Sequence, residues 1–164
     1  MRTKRTPPNR PRPSPVARIG LQVACSARGL PGARRLRALA RAAAAGGADI
    51  TLRVVGAAEA RRLNRAYRGR DYATNVLSFD YGAPPAARRR RALRGDVVLC
   101  HPVLAREARA QGKTLGEHYA HLVVHGVLHL RGFDHRRASE AVRMERREAR
   151  ILRRFGVADP YLVR

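Results

Sequence analysis

The chain has 164 residues, a length that fits one domain able to bury a sizeable core. Hydrophobic residues make up 45% of it, too many for a disordered polypeptide, and no apolar run approaches the ~20 residues that span a bilayer. The 35 Lys and Arg against 12 Asp and Glu give a formal net charge of +23, which favours a polyanionic partner, nucleic acid first. An arginine-biased composition on solvated helix faces explains part of this charge but not all of it.

The first 15 residues interleave prolines with arginine and lysine. Each proline removes a backbone donor and disfavours helix, so residues 1–15 are predicted to be a disordered basic tail. The tail is either an extension without function or an electrostatic arm for RNA. It lacks the apolar core of a secretory signal, which predicts a soluble, cytoplasmic protein whose single domain spans residues 16–164.

Apolar periodicity from Val16 onwards predicts nine elements and an α+β domain with one small sheet. In chain order they are a strand from near Val16, a helix over Ala33–Ala45, a strand over Asp49–Val55, a helix over Ala57–Tyr67, strands over Thr74–Phe79 and Val97–Cys100, a helix over Pro102–Ala110, a helix capped by Thr114, and a helix over about Ala138–Phe155. The segment between Gly82 and Arg94 is predicted to be a loop. Its four arginines, Arg88–Arg91, form either a solvated segment or an RNA contact.

Two cysteines, Cys25 and Cys100, are far apart and predicted to lie in strands as small buried residues, without a disulfide framework.

Three histidines near the C-terminal end have the spacing of a metal site. His125 and His129 are four apart, so on a helix both imidazoles lie on one face. Gly132 can take the left-handed conformation that ends a helix, which lets the chain return and bring His135 to a third position. Three neutral imidazoles leave the fourth tetrahedral position for water, as in catalytic zinc sites. His101, His118 and His121 are instead predicted to be packing, hydrogen-bonding or cleft residues.

The run His125–His135, HGVLHLRGFDH, resembles the signature of the YbeY family of zinc-dependent endoribonucleases. The stretch from Tyr67 to Phe79, YRGRDYATNVLSF, resembles that family's second motif, and Gly95–Leu99, GDVVL, its third. Further correspondences run to the end of the chain: Glu140, Met144, Glu148 and Asp159-Pro160-Tyr161. The resemblance covers roughly Ile50 to Tyr161.

The resemblance implies a mixed sheet of about four strands packed by about five helices, with the metal helix beside the sheet. It also implies one Zn²⁺ per chain, bound by His125, His129 and His135, and a functional arginine at Arg68. The activity implied is single-strand-acting cleavage of RNA in maturation of the small-subunit ribosomal RNA 3′ end and in ribosome quality control. The implied partners are ribosomal RNA, ribosomal proteins and an assembly GTPase, with neither DNA nor membrane.

In this interpretation Arg68, His125 and His129 are the catalytic residues, and a guanidinium suits bidentate contact with a phosphate. Asp134 either orients the neighbouring His135 by accepting its other ring proton or caps the turn. Ser78 is predicted to line the cleft at an edge strand, and His121 to support the site. Attack by metal-bound hydroxide and attack by the substrate's 2′-hydroxyl both remain open.

Two alternatives come from other classes. The histidine spacing is also that of metzincin peptidases, but those enzymes place a glutamate general base where this chain has Gly126. They also have a methionine turn, whereas Met144 falls in a predicted helix. A non-catalytic RNA- or ribosome-binding protein braced by zinc is the other alternative, although structural zinc sites usually close with four protein ligands.

Overall fold

A computed structural model describes residues 16–82 and 92–162. The predicted tail, residues 1–15, and the Arg88–Arg91 run lie outside these described residues. Within them the elements follow the predicted order: β1 (Arg18–Val23), α1 (Ala33–Ala44), β2 (Ala48–Val55), α2 (Ala57–Arg68), β3 (Val76–Asp80), β4 (Leu93–Cys100), α3 (His101–Ala110), α4 (Leu115–Leu130) and α5 (Ala138–Arg153).

The sheet has the strand order β1-β2-β4-β3. β1 pairs with β2 and β2 pairs with β4 in parallel, whereas β3 pairs with β4 antiparallel, with Leu77 opposite Val98. Parallel neighbours need a crossover connection, which α1 supplies between β1 and β2. The fold is therefore α+β with a mixed sheet of four strands and five helices, as expected, and β3 is an edge strand.

The histidine helix α4 lies at the centre of the larger apolar core, between the sheet and the helices α1, α3 and α5. Its Val123, Val124, Val127 and Leu128 are completely buried, and burial of each such side chain is worth about 1.5–3 kcal/mol. A smaller cluster, which includes Ala60 of α2 and Leu77, covers the other face of the sheet. The position of α4 is thus set by the core.

β4 begins four residues earlier than predicted, at Leu93 rather than Val97. Leu93 pairs with Ala48, so β4 follows the full eight-residue length of β2. The polar residues Arg94 and Asp96 and the intervening Gly95 hid this strand from the sequence pattern. At Gly95 the strands β3 and β4 approach so closely that a Cβ would lie 2.3 Å from the carbonyl oxygen of Phe79.

The prediction that Cys25 lies in a strand is wrong. It follows the end of β1 and is half-buried, whereas Cys100 ends β4 and is buried. Both are free thiols.

None of the helices in residues 16–82 and 92–162 is both long enough and apolar enough to cross a membrane.

Candidate metal centre and cleft

The ends of α4 are defined by local hydrogen bonds. At its start the Thr114 hydroxyl accepts from the Glu117 backbone N–H at 3.1 Å, and the Glu117 carboxylate accepts from the Thr114 N–H at 2.8 Å. This is the capping box that the sequence predicts. At its other end Gly132 has φ 88°, its N–H donates to the His129 carbonyl, and the Phe133 N–H donates to Leu128. The helix therefore ends one residue after His129, at Leu130, and the chain turns back towards it at Gly132.

This turn brings His125, His129 and His135 together. The ring centroids of His125 and His129 are 4.6 Å apart, and that of His135 lies 5.0 Å from His129 and 5.7 Å from His125. One ligand atom from each ring can be chosen so that all three lie within 4.8 Å of one another. His135 is the exposed member, with 56% of its side chain accessible, against 22% for His125. The cluster thus has an inner side on α4 and an outer side open to solvent.

The buried carboxylate of Glu148 holds the imidazole ring of His125 in place. Glu148 of α5 is completely buried and accepts a hydrogen bond from Nδ1 of His125 at 2.7 Å and from Nε2 of His121 at 3.2 Å. The hydroxyl of Tyr161 donates to the same carboxylate. Local sequence reasoning gave Glu148 no role, because it lies 23 residues from His125 and only the packing of α5 on α4 brings the two together.

The electrostatics of these groups favour cation binding. Burial raises the pKa of Glu148, but hydrogen bonds from His121, His125 and Tyr161 outweigh it and lower that pKa to about 2. An ionised carboxylate only accepts, so the His125 Nδ1 carries the proton and its Nε2 presents a lone pair. That Nε2 lies 3.0 Å from Nε2 of His129. Burial and the neighbouring His125 and His135 rings lower the pKa of His129 to about 4, which keeps this imidazole neutral at physiological pH.

This donor set fits a metal ion. Neutral imidazole nitrogens on three converging rings are suited to zinc and to other first-row divalent metals, and His125 has its other nitrogen held by a carboxylate, as metal-ligating histidines usually do. A second group, His121, His125 and Glu148, also has its ligand atoms close together. There the carboxylate oxygens already accept from two imidazoles and a hydroxyl, an arrangement that supports the first cluster.

The histidines open onto a cleft of about 760 Å³. Arg68, at the end of α2, lines it together with Arg70 and Arg136, two arginines that the sequence did not single out. Asn75 and Ser78 complete the polar part of its wall. The cleft therefore combines three converging histidines with three guanidinium groups, a combination suited to a phosphate diester.

Ser78 and Gly126 form the contact between β3 and α4. The Ser78 hydroxyl donates to the Gly126 carbonyl at 2.9 Å, and Ser78 lines the cleft from the edge strand β3. A Cβ at Gly126 would lie 2.6 Å from Cγ1 of Val97 and 3.3 Å from the Ser78 hydroxyl. This position has no room for the glutamate of a metzincin. Met144, for its part, is buried within α5 and belongs to no turn below the histidines.

Asp134 contacts the backbone of the turn. Its carboxylate accepts from the His135 backbone N–H at 2.7 Å and forms an ion pair with Arg136, whose Nε lies 3.2 Å away, whereas Nδ1 of His135 is 4.0 Å away. Of the two roles left open for Asp134, this geometry favours capping the turn.

The other histidines hydrogen-bond inside the fold. Nδ1 of His101 lies 2.8 Å from the Tyr119 hydroxyl, and Nε2 of His118 lies 2.8 Å from Glu107. Both rings are buried, and neither joins the three-histidine cluster. His121 reaches Glu148 and so contacts the site indirectly.

Known proteins resemble this chain over most of its length. A family model described as Endoribonuclease YbeY matches residues 34–156. A relative from Thiobacillus denitrificans named Endoribonuclease YbeY is 53% identical over 148 residues, which cover 90% of this chain and 98% of the relative. One of the same name from Bordetella pertussis is 61% identical over 116 residues, 71% of each chain.

The fold also matches that of a protein from Thermotoga maritima solved in solution, with a TM-score of 0.56 over 89% of this chain and all of that one, at 20% identity. Because the family model matches residues 34–156 and the relatives from Thiobacillus denitrificans and Bordetella pertussis are 53% and 61% identical, the chain belongs to the YbeY family.

Proposed function

We propose that this chain is a zinc-dependent endoribonuclease that cleaves single-stranded regions of ribosomal RNA. The observation that carries the proposal is the meeting of three histidines with Arg68, Arg70 and Arg136 in one cleft. Membership of a family whose relatives are named endoribonucleases supports it. The proposal assigns the activity to a single domain, residues 16–164.

His125, His129 and His135 would hold one Zn²⁺ per chain. Three protein ligands leave a coordination position for water or substrate, as in catalytic zinc sites. Zinc, when bound, supplies a Lewis acid that polarises a phosphoryl oxygen or acidifies a water. Glu148 places a proton on Nδ1 of His125, so that Nε2 faces the cluster, and burial disfavours protonation of His129.

Arg68 is proposed to contact the scissile phosphate. It is the last residue of α2, is exposed and lines the cleft, so its guanidinium can reach a ligand without any rearrangement of the core. A planar guanidinium binds phosphate oxygens bidentately and stabilises negative charge that develops on them. Arg70 and Arg136 extend the positive wall along which the RNA backbone would lie.

The ribosomal part of the proposal rests on the family alone. On this basis we propose that the chain takes part in maturation of the 3′ end of the small-subunit ribosomal RNA and in turnover of defective ribosomes. Ribosomal proteins and an assembly GTPase would be its partners, and the cytoplasm, where ribosomes are, its place of action.

The two alternatives make different predictions. A metzincin-like peptidase would need a glutamate as general base at the position of Gly126, where the tight packing leaves no room for a side chain. A non-catalytic, zinc-braced ribosome-binding protein would bind RNA and leave it intact. The arginine-lined cleft beside the histidines favours the nuclease, because a merely structural zinc site needs no accessible cavity.

One experiment separates all three functions. Zinc-loaded protein is incubated with structured ribosomal RNA and, separately, with casein, and zinc per chain is measured by elemental analysis. We expect about one zinc and cleavage of RNA only. Cleavage of casein would support the peptidase, intact RNA with bound zinc would support the binding protein, and retention of zinc after all three histidines are changed to alanine would refute the ligand assignment.

Salt dependence tests the nature of RNA binding. If the charge of +23 draws the RNA, the logarithm of the binding constant falls linearly with the logarithm of salt concentration, by about 0.7 per neutralised phosphate for a single strand. Affinity that stays flat between low and physiological salt would contradict an electrostatic footprint.

A further inference from the structure

The carboxylate of Glu148 connects the three-histidine cluster to the C-terminal segment of the chain. Glu148 is completely buried in a protein of formal charge +23, and its donors come from two other parts of the fold. His125 and His121 donate from α4, and Tyr161 donates from the segment that follows α5. A buried carboxylate is costly unless hydrogen-bonded, and these donors satisfy both of its oxygens.

We propose that Glu148 is a positioning residue for the metal ligand His125, and that Tyr161 tunes metal affinity from the C-terminal segment by holding Glu148. This inference rests on the metal site of the proposed function. The chain of contacts runs from the Tyr161 hydroxyl to Glu148, from Glu148 to Nδ1 of His125, and from the opposite nitrogen of that ring into the three-histidine cluster.

The His125–Glu148 contact controls two properties of the ring. At 2.7 Å it requires a proton on Nδ1, which leaves the Nε2 lone pair free for a cation. It also restricts rotation of the imidazole, so that Nε2 faces His129. Carboxylate partners of this kind orient the ring and raise its basicity, and their loss typically weakens metal binding about 10- to 100-fold.

The C-terminal segment is built to hold Tyr161 in place. The backbone N–H of Tyr161 donates to the Asp159 carboxylate at 2.9 Å, and the buried Val157 anchors the start of the segment in the core. The Tyr161 ring lies edge-on to His121 with 5.6 Å between centroids, and its hydroxyl lies 3.2 Å from the Nε2 of that ring. Because Tyr161 is 39% exposed, its hydroxyl can be removed without opening the core.

The test measures zinc affinity of the full chain in the absence of RNA, by competition with a chromophoric chelator. Glu148→Gln keeps the shape of the side chain but replaces one of its two accepting oxygens with an NH₂ group, and Tyr161→Phe removes only the hydroxyl. Tyr81→Phe is the matched control, because its hydroxyl donates to a carboxylate, Asp96, away from the cleft. Thermal unfolding of each metal-free variant monitors the fold. Nitrogen-15 NMR of the histidines reports which His125 nitrogen carries the proton.

We expect the zinc dissociation constant to rise about 10- to 100-fold in Glu148→Gln, to rise by a smaller but measurable factor, up to about tenfold, in Tyr161→Phe, and to stay unchanged in Tyr81→Phe. The Nδ1–H signature of His125 should dominate in the parent and diminish in Glu148→Gln, where one accepting oxygen remains for three donors. If Glu148→Gln fails to fold, the Tyr161→Phe measurement decides by itself.

Three results would overturn the inference. Equal zinc affinity in the parent and Tyr161→Phe would show that the hydroxyl has no influence on the site. Two zinc ions in the parent and one in Glu148→Gln would make Glu148 a ligand of a second metal. A parent that binds no zinc would refute the proposed cofactor together with this inference. By contrast, zinc binding that responds as expected in a protein that leaves RNA intact would refute only the nuclease.

Discussion

The helices α4 and α2 both supply residues to the cleft, but they are anchored differently. Ten of the 16 residues of α4 are buried, and their packing in the core determines where His125 and His129 lie. Only two of the 12 residues of α2 are buried, and Arg68 extends from its exposed C-terminal end. We therefore expect metal binding at these histidines to depend on the integrity of the core, and a phosphate contact by Arg68 to depend on it much less. Four substitutions test this difference.

The largest effect is expected from His129→Ala, which removes the ligand at the end of the buried helix. We expect loss of bound zinc and, with it, of RNA cleavage, because two imidazoles remain where three are needed. His118→Gln is the control, since His118 bonds Glu107 outside the cluster and glutamine can still donate there. It should retain about one zinc per chain by elemental analysis. Activity of a metal-free His129→Ala protein would disprove the zinc mechanism.

Arg68→Ala should separate chemistry from metal binding. A charge-assisted contact made in the transition state is worth on the order of 2–4 kcal/mol, or roughly thirty- to a thousandfold in turnover. Zinc content and melting temperature should stay at the parent values, because Arg68 is exposed.

The matched control for Arg68→Ala is Arg62→Ala, an exposed arginine of the same helix that lines a different depression. It should turn over RNA at the parent rate. Parent-like cleavage by Arg68→Ala would make Arg68 an ordinary surface charge.

Gly126→Ala tests how tightly α4 is packed on the sheet. The new Cβ would meet Val97 at 2.6 Å, and such overpacking costs about 1–3 kcal/mol. For a chain of this size, that lowers the melting temperature by roughly 2–4 °C per kcal/mol. Gly116→Ala, on the same helix with open space around its Cβ, should leave the melting temperature equal or slightly higher. An unchanged melting temperature in Gly126→Ala would show that α4 and the sheet can move apart at little cost.

The smallest effect is expected from Thr114→Ala at the start of α4. Loss of the capping box should cost about 1 kcal/mol, measured by thermal or urea unfolding. Zinc affinity should not change, because the cap lies three turns from His125. A large loss of zinc would mean that local fraying spreads along the helix to the site.

The order of the elements could be predicted because apolar periodicity and turn residues are local signals. The same is true of the Thr114 capping box and of the turn at Gly132, which depend on residues within a few positions of each other. The gathering of His125, His129 and His135 followed from helical spacing plus one glycine.

Contacts between distant segments could not be predicted in this way. Glu148 occupies a position on α5 that looks like any acid of an arginine-rich amphipathic helix, and only the docking of α5 on α4 makes it a partner of His125. The cleft arginines Arg70 and Arg136 were similarly hidden among many other arginines. The true start of β4 at Leu93 is determined by pairing with β2, a contact that strand periodicity does not reveal.

The direction of α4 has an electrostatic consequence of its own. Its carboxyl-terminal end, where His129 lies, carries about half an elementary negative charge from the aligned peptide dipoles. That partial charge, with the ionised Glu148 behind His125, creates a local negative potential inside a protein whose formal charge is +23. The proposed dication and the proposed polyanion would thus be attracted to adjoining parts of one cleft by opposite charges, the first by the end of α4 and Glu148 and the second by Arg68, Arg70 and Arg136.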